Sequence, residues 1–271
     1  MRMNPFWRSV VIMAFLAFMI IPLIATFMFS ISTRWDRTLL PEGLTLEWWK
    51  TVTSRGAFLL TIRNSFYISL TTAFALGILV TPTVYWAYIK LPRGKVIFEI
   101  MSAFSFGIPG VILALALIRF YSGVPLPLIN TTNILLLACM ELSFPFMYRP
   151  IANALDSIDV RTLTEASQSL GGNWTQTLTR IILPNIMPGV MSGFLLVFST
   201  VFAEFTLTNL LVGARFKTFP IYLVEFTRFD GRQASALAVI SFVVAWAVSL
   251  LILWVTRKRA IPTGGGPVAG H

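Results

Sequence analysis

The sequence predicts an all-α integral membrane protein with six transmembrane helices and one polar helical hairpin. Of its 271 residues, 56% are apolar and 12% are charged, whereas soluble domains carry about 25% charged residues. Six apolar stretches reach or approach the roughly 20 residues that a helix needs to cross a bilayer. They lie at residues 9–32, 64–89, 97–120, 132–148, 186–207 and 234–255. Between the fourth and fifth stretches, residues 162–184 are polar and carry helix start and stop signals.

The first apolar stretch has to be distinguished from a signal peptide, because Arg2 and Arg8 precede it. Its apolar region is too long for a signal peptide, and no small-x-small cleavage site ends it. We therefore predict a transmembrane helix there, with Pro22 tolerated because neighbouring helices satisfy the carbonyl that it frees. Residues 1–255 are predicted to form a single transmembrane domain.

The connections between the spans are polar and mostly short. Residues 43–49 predict an amphipathic helix on the bilayer surface, and residues 208–233 predict a second polar loop. A basic turn at 90–95 separates the second and third spans, and a Gly-Ile-Pro-Gly break at 107–110 interrupts the third. The tail, 256–271, begins with basic residues and ends in a low-complexity stretch for which we expect disorder.

The composition argues against several kinds of site. The single cysteine, Cys139, leaves no disulfide framework or thiolate metal site, and the single histidine, His271, is the last residue. We therefore expect neither a metal centre nor a histidine-dependent catalytic triad. No G-x-x-x-x-G-K-[ST] phosphate-binding loop occurs, so any ATP that drives the protein must bind another subunit. The net charge of +10 is scattered between apolar spans, which favours contact with anionic lipid over nucleic acid.

The polar stretch 162–184 predicts two short helices joined by a tight turn. Thr162 and Glu165 fit a capping box, with a hydroxyl at the cap and a carboxylate three residues later. The helix that starts there should run through Leu170 and stop at Gly171-Gly172, where one glycine can adopt the left-handed conformation.

The second short helix should begin at Asn173, whose side chain caps it, with Gln176 at the third position. We expect Pro184 to close this helix. Helices of this length are marginal alone in water, so the hairpin must pack on its own protein or on a partner.

The spacing within this stretch resembles a family motif. Glu-Ala-Ser at 165–167 is followed by three residues, Gly171, nine residues, Ile181, one residue, and Leu-Pro at 183–184. This resembles the EAA loop (EAA, three residues, G, nine residues, I-x-L-P) of the membrane-spanning subunits of binding-protein-dependent ABC importers, with serine for the second alanine as the one departure. The motif residues are Glu165, Ala166, Ser167, Gly171, Ile181, Leu183 and Pro184. Residues 162–184 are called the EAA segment below.

The resemblance implies a fold, partners and a location. In that family the EAA loop is a coupling helix that docks in a groove of a cytoplasmic ATPase, a form of helix-in-groove recognition. The implied assembly contains a second permease subunit, identical or paralogous, two copies of an ABC ATPase that bind ATP and Mg, and a periplasmic or lipid-anchored solute-binding protein. The chain would be a transport subunit and not an enzyme, in the bacterial inner membrane, with a fold like that of type I importers.

Six spans place both termini on one side of the membrane. Lysine and arginine residues are almost equally numerous on the two sides. Compact basic clusters at 90–95 and 257–259 flank short connections, where the positive-inside rule is most reliable. These clusters favour cytoplasmic termini, in agreement with the resemblance.

Two acidic residues lie inside predicted spans. Glu141 falls near the centre of the fourth span, where a carboxylate costs about 2.5–3.5 kcal/mol and should face a partner or a wet cavity. Glu204 lies near the outer end of the fifth span, in a segment resembling a family motif that lines the translocation path, so Phe205 and Thr208 are also path candidates. The alternative for Glu141 is a structural interhelical hydrogen bond, and for Glu204 an interfacial carboxylate without a ligand.

Two membrane carboxylates with aromatic neighbours suit a small organic cation, because ammonium groups bind carboxylates and aromatic faces. The run of segments most resembles the spermidine/putrescine-type permeases, which implies a polyamine. Permeases for aminoalkylphosphonate, ferric ion, thiamine and opines share much of the pattern, so these solutes stay open as alternatives. Arg119, near the outer end of the third span, could instead pair with an acid or meet an anionic substrate.

Two other function classes fit part of the sequence. An ATP-independent channel or secondary carrier would use the intramembrane acids, but it gives no reason for the spacing of the EAA segment. A membrane enzyme would have to rely on aspartates such as Asp156 and Asp159, which we expect instead to cap or flank the hairpin.

Overall fold

The computed structural model describes residues 4–36, 38, 40–91, 93–123 and 131–257. Within these residues the chain is mainly helical, with one isolated antiparallel bridge between Ser32 and Leu44. The α-helices are α1 (Pro5–Ser30), α2 (Glu47–Ser54), α3 (Gly56–Lys90), α4 (Gly94–Gly107), α5 (Gly110–Tyr121), α6 (Thr132–Asp156), α7 (Val160–Ser169), α8 (Trp174–Thr177), α9 (Leu183–Phe202), α10 (Thr206–Leu211), α11 (Phe219–Thr227) and α12 (Gly231–Arg257). A π-helical turn at Leu178–Ile182 joins α8 to α9, and a 3-10 turn at Gly213–Phe216 follows α10.

Five helical segments of the described chain are long and apolar enough to cross a membrane. They are Phe6–Ser30, Gly56–Lys90, Thr132–Asp156, Trp174–Phe202 and Gly231–Leu251. Helices α4 and α5 supply a sixth if they are counted together as one broken span. The prediction of an all-α membrane protein is confirmed, with five to six spans.

The third span, predicted at 97–120, is not one helix. Helices α4 and α5 are bent by 95° relative to each other, at the break between Gly107 and Gly110. Ile108 has an extended backbone (φ −94°, ψ 113°), because the ring of Pro109 disfavours helical geometry in the residue before it. The Gly-Ile-Pro-Gly segment is therefore a sharp corner.

Several helices extend beyond the apolar stretches that predicted them. Helix α3 begins at Gly56 instead of residue 64, and α6 continues to Asp156 instead of ending at 148. An apolar stretch marks only the part of a helix that matches hydrocarbon, so polar extensions escape detection. Pro145 and Pro150 lie inside α6 without ending it.

The remaining span boundaries differ by a few residues. Helix α1 covers Pro5–Ser30 instead of 9–32, and α9 ends at Phe202 instead of 207. Helix α12 begins at Gly231 instead of 234. Most of the predicted tail, residues 258–271, lies outside the described residues.

The second polar loop, predicted at 208–233, is largely helical. It contains most of α10, the 3-10 turn and α11. Buried side chains connect it to α2 and α3. The hydroxyl of Tyr222 donates to the Val52 carbonyl at 2.9 Å, and the Phe219 amide donates to the Ser65 hydroxyl at 2.8 Å. The prediction of a loop is wrong because helices this short are not stable by their own length. Tertiary contacts stabilise them, and a sequence pattern does not show these contacts.

The amphipathic helix predicted at 43–49 begins only at Glu47, as α2. The residues before it pair with the chain that follows α1, where the Thr45 amide donates to the Ile31 carbonyl at 2.7 Å. The placement of α2 on the bilayer surface stays a prediction.

The chain divides into two compact units. The first comprises Met1–Ser69, Gly110–Ala138 and Val201–Val244, and the second comprises Leu70–Pro109, Cys139–Thr200 and Ala245–His271. The EAA segment belongs to the second unit. The core of this unit contains fully buried side chains from α3, α6 and α9, among them Tyr85, Tyr148 and Ile186.

Candidate functional site

The first arm of the EAA segment begins earlier than predicted. Helix α7 starts at Val160 because the Asp159 carboxylate caps it, accepting hydrogen bonds from the Thr162 amide (3.1 Å) and the Thr162 hydroxyl (2.7 Å). These hydrogen bonds lower the pKa of Asp159 from its ordinary value. The predicted capping box at Thr162 is wrong, and Glu165 instead forms an exposed ion pair with Arg161 at 3.4 Å.

The turn between the two arms is the predicted glycine turn. Gly171 has a φ of 82°, in the left-handed region that favours glycine. The Gly171 amide donates to the Gln168 carbonyl and the Gly172 amide to the Ser167 carbonyl, both at 2.9 Å, which closes the end of α7. A Cβ added at Gly172 would lie 2.5 Å from the Ser167 hydroxyl oxygen. Gly171 is therefore required by its backbone angle and Gly172 by close contact.

The second arm begins at Asn173, as predicted. The Asn173 side chain accepts from the Gln176 amide at 2.9 Å, and the Gln176 side chain accepts from the Asn173 amide at 3.0 Å. These two bonds form a complete capping box. We call α7, the glycine turn and α8, residues 160–177, the helical hairpin.

A buried hydrogen bond joins the two arms of the helical hairpin. The hydroxyls of Ser167 and Thr177 lie 2.8 Å apart, and both residues are buried. The Thr177 hydroxyl donates to the Asn173 carbonyl at 2.9 Å, so its one proton is used and Ser167 is the donor between the arms. The departure from the motif at Ser167 therefore has a structural role.

Pro184 does not close the second arm, contrary to the prediction. The chain stays helical over Trp174–Phe202, through the π turn at Leu178–Ile182 and into α9. In that turn the Leu183 amide donates to the Leu178 carbonyl, five residues earlier. A proline inside an α-helix lacks an N–H and collides with the carbonyl four residues before it. The wider π turn just before Pro184 relieves this conflict, so the second arm and α9 form one continuous helix.

The motif residues differ in their exposure. Glu165, Ala166, Gly171 and Pro184 are exposed, Ile181 and Leu183 are half-buried, and Ser167 is buried. Ser167, Gly171 and Ile181 line a cavity of about 380 Å³ together with Leu170. The structure thus brings the two ends of the motif to one concave surface, although 14 positions separate Ser167 from Ile181 in sequence.

Glu141 lines a cavity of about 510 Å³ in the second unit. Aromatic and thioether side chains make up much of the lining, namely Phe98, Phe104, Phe144, Met101 and Met140. The Oε2 atom of Glu141 is buried and has no hydrogen-bond partner. The carboxylate therefore adjoins open space, which matches the expectation for an acid inside a span.

Glu204 lies in the break between α9 and α10, in the first unit. Its Oε1 accepts a hydrogen bond from the Leu207 amide at 2.7 Å, and the hydroxyl of buried Thr208 donates to the Glu204 carbonyl at 3.3 Å. Phe205 is half-buried beside them. The side chain of Glu204 thus has a structural role at the start of α10, and the place of Glu204, Phe205 and Thr208 on a substrate path stays a prediction.

The comparison with protein families decides the class of this chain. The family described as "Binding-protein-dependent transport system inner membrane component" matches residues 73–258, which include the EAA segment and Glu141. The chain belongs to this family. It is therefore a multi-pass inner-membrane permease and not an enzyme. The two aspartates of the enzyme alternative both have structural partners. Asp156 forms a salt bridge to Lys95 at 2.6 Å, and Asp159 caps α7.

Two curated relatives are similar to this permease over part of their length. The ferric transport system permease protein FbpB of Actinobacillus pleuropneumoniae is 24% identical over 172 residues, which cover 63% of this chain and 25% of that protein. The spermidine/putrescine transport system permease protein PotB of Haemophilus influenzae is 33% identical over 109 residues, covering 40% of this chain and 38% of that protein. The matched stretches thus span less than half of either relative.

Solved structures share the fold of this permease. A chain of a bacterial alginate ABC transporter, in complex with an alginate pentasaccharide-bound periplasmic protein, has a TM-score of 0.72 at 19% identity and covers 93% of each chain. A chain of the MetNI methionine ABC transporter in an inward-facing conformation has a TM-score of 0.57 at 16% identity, covering 76% of this permease and 100% of that chain. These likenesses confirm the predicted importer-permease fold.

Leu170 is a candidate contact residue that the motif does not include. Its side chain is 90% exposed at the glycine turn, and Trp174 after the turn is 43% exposed. A large apolar side chain directly before a Gly-Gly pair, at the end of a short polar helix, is the sequence signal that could have identified it. Leu170 and Trp174 add an apolar tip to the exposed motif residues.

Proposed function

We propose that this ABC importer permease forms half of a translocation path and that a second permease subunit, identical or paralogous, forms the other half. Two copies of an ABC ATPase bind ATP and Mg, and a periplasmic or lipid-anchored solute-binding protein delivers the solute. The alginate transporter with a similar fold is in complex with a periplasmic protein, which supports a partner of this last kind. Both termini lie in the cytoplasm, and the spans are surrounded by lipid.

The helical hairpin carries this proposal. It has a capped start, a glycine turn and a buried hydrogen bond between its arms, so it can move as one body. Its second arm is continuous with α9. When the ATPases close on ATP, displacement of the hairpin tilts the spans between inward-open and outward-open packing, a bistable rearrangement.

Substitution of the turn glycine tests the coupling role. Gly171→Asp places a side chain in a left-handed backbone at the tip of the hairpin, which distorts the docking surface. We expect the variant to reach the membrane while ATP-dependent uptake is abolished. Gly213→Asp is the matched control, because Gly213 also has a positive φ (52°) but lies in the first unit. Normal co-purification of the ATPase with Gly171→Asp, together with a normal response to loaded binding protein, would contradict the coupling role.

We propose a small organic cation, such as a polyamine, as the solute, with Glu141, Glu204, Phe205 and Thr208 along its path. The cavity of Glu141 supports this class, because one carboxylate among aromatic rings and thioethers suits an ammonium group. A bare ferric ion takes harder, oxygen-rich ligand sets. The name of PotB points to polyamines and the name of FbpB to ferric ion, so both solutes belong in the test.

Uptake by membrane vesicles that contain the whole importer tests the solute class. Labelled putrescine and spermidine are the probes, with thiamine, an opine, 2-aminoethylphosphonate and ferric ion as competitors. Glu141→Gln keeps the shape of the side chain and removes its charge, so we expect polyamine uptake to fall at least about tenfold. Glu47→Gln, at an exposed acid on α2, is the control. Unchanged polyamine uptake in Glu141→Gln, or competition by ferric ion alone, would contradict the organic-cation proposal.

A further inference from the structure

Tyr85 of α3 contacts both arms of the helical hairpin. Its side chain is fully buried, and its hydroxyl lies 3.1 Å from the hydroxyl of Thr164 on α7. Its ring lies against the ring of Trp174 on α8, with 6.1 Å between the centroids. One side chain of a membrane span is therefore held by the first arm through a hydrogen bond and by the second arm through ring packing.

The direction of the hydrogen bond follows from the other contacts. The Thr164 hydroxyl donates its one proton to the Val160 carbonyl at 2.7 Å, one turn earlier in α7. Tyr85 must then be the donor to Thr164. Tyr85 thus donates to Thr164, and Thr164 donates to the α7 backbone. Both hydrogen bonds are buried, and buried hydrogen bonds are stronger than exposed ones.

The helical hairpin reaches α9 and α3 by two different routes. Its second arm continues into α9, so any tilt is passed to that span through the backbone. Helix α3 is far from the hairpin in sequence, so the hairpin acts on it through side-chain contacts. Helix α3 also packs on α9, where the ring centroids of Phe74 and Phe194 lie 4.9 Å apart. The arms are joined to each other by Ser167 and Thr177. A displacement of the hairpin therefore reaches Tyr85 from both arms at once.

We infer that Tyr85 is a positioning residue of the transport cycle, which transmits displacement of the helical hairpin into α3. The inference rests on the proposed coupling role of the hairpin. It adds that α3 and α9 are driven by separate contacts. Loss of the Tyr85 hydroxyl should then uncouple α3 from nucleotide while α9 still responds.

Spin labels on the two helices test this in the purified complex of permease and ATPase subunits. Thr83→Cys reports on α3 and Ser192→Cys on α9, because both side chains are exposed and both belong to the second unit. The native Cys139 is replaced by alanine in both labelled chains. The measured quantity is the change in nitroxide mobility when ATP and vanadate are added. Tyr85→Phe removes only the hydroxyl, and Tyr67→Phe, at a 55% exposed position of α3, is the matched control.

In Tyr85→Phe we expect the nucleotide-dependent change at Thr83 to fall about three- to tenfold, the effect of one hydrogen bond on an equilibrium. The change at Ser192 should persist, and Tyr67→Phe should behave like the unaltered chain. Thr164→Val should reproduce the loss at Thr83, and the double variant should be no worse than either single variant.

Equal responses of Tyr85→Phe and Tyr67→Phe would overturn the inference. Equal losses at Thr83 and Ser192 would also overturn it, because they would show a general structural defect. If the unaltered chain binds no ATPase, or neither label responds to nucleotide in the unaltered complex, the proposed coupling role itself fails. These results separate the two claims.

Discussion

At the scale of single residues, Ser167 shows how a departure from a motif can be structural. The motif alanine would leave the Thr177 hydroxyl without its donor across the hairpin, whereas Ser167 supplies one at 2.8 Å. A net contribution of about 1 kcal/mol is typical for such a bond. The same oxygen would lie 2.5 Å from a Cβ at position 172. The Ser167 hydroxyl therefore occupies the space that a side chain at position 172 would need, so position 172 has to be glycine.

The cap at Asp159 makes the start of α7 sensitive to acid. Its pKa is lowered from 3.8 by the hydrogen bonds from Thr162, so its stabilising effect is present above that value and is lost as pH falls through the lowered pKa. Asp159→Asn keeps the capping oxygen without the titration. We expect hydrogen exchange in α7, corrected for intrinsic rates, to rise at low pH in the parent and not in this variant. Both chains carry Glu165→Gln, which removes the other nearby carboxylate.

An equal acid-induced rise in the two chains would contradict this role for the carboxylate.

The start of α7 also shows a limit of capping signals in a sequence. Thr162 and Asp159 are both good caps by residue type, and a hydroxyl with an acid three residues later favours Thr162. The structure uses Asp159 because the Thr162 amide and hydroxyl both donate to it. The sequence pattern therefore favoured the wrong one of the two residues.

At the scale of elements, α9 crosses α6 at a glycine. A Cβ added at Gly189 would lie 2.5 Å from the Pro150 carbonyl oxygen and 2.6 Å from the Ala154 Cβ. Gly189→Ala must therefore push the helices apart, and overpacking of this kind costs about 1–3 kcal/mol. We expect a lower thermal unfolding midpoint in detergent. Gly107→Ala, where a Cβ meets nothing within 4 Å, is the control, and equal midpoints for the two variants would contradict the close crossing.

The elements were predictable where hydrophobicity alone decides them. Long apolar stretches identified α1, α3, α6, α9 and α12, although not their polar extensions. Composition could not predict that a helix ends before Pro109, whereas the helix continues through Pro184 after a π turn. The two prolines behave differently because of contacts with neighbouring parts of the structure, which a linear sequence pattern does not contain.

At the scale of the whole molecule, the proposed coupling site and the proposed solute site differed in how far the sequence could predict their geometry. The EAA segment was recognisable because its small residues and its glycine turn match the fixed spacing of the family motif. The sequence also indicated that Glu141 faces either a partner or a wet cavity, since a carboxylate inside a span is costly, and the structure places it at a cavity. The capping role of Glu204 depends on the break after Phe202, which the predicted span to 207 did not contain.

We propose that the tip of the helical hairpin contacts an ATPase in the cytoplasm. A photoreactive benzophenone amino acid at Leu170, which is 90% exposed, tests this directly in intact cells. The control carries the same group at Phe229, which is 83% exposed and belongs to the first unit. Cross-linked partners are identified by mass spectrometry of the purified adducts.

We expect the group at Leu170 to cross-link to a protein that carries a G-x-x-x-x-G-K-[ST] loop, and the group at Phe229 not to do so. A cysteine at Leu170 should also be protected from a membrane-impermeant maleimide added outside the cells. Labelling from outside, or cross-links at Leu170 only to proteins without a nucleotide-binding loop, would contradict contact between the hairpin tip and a cytoplasmic ATPase.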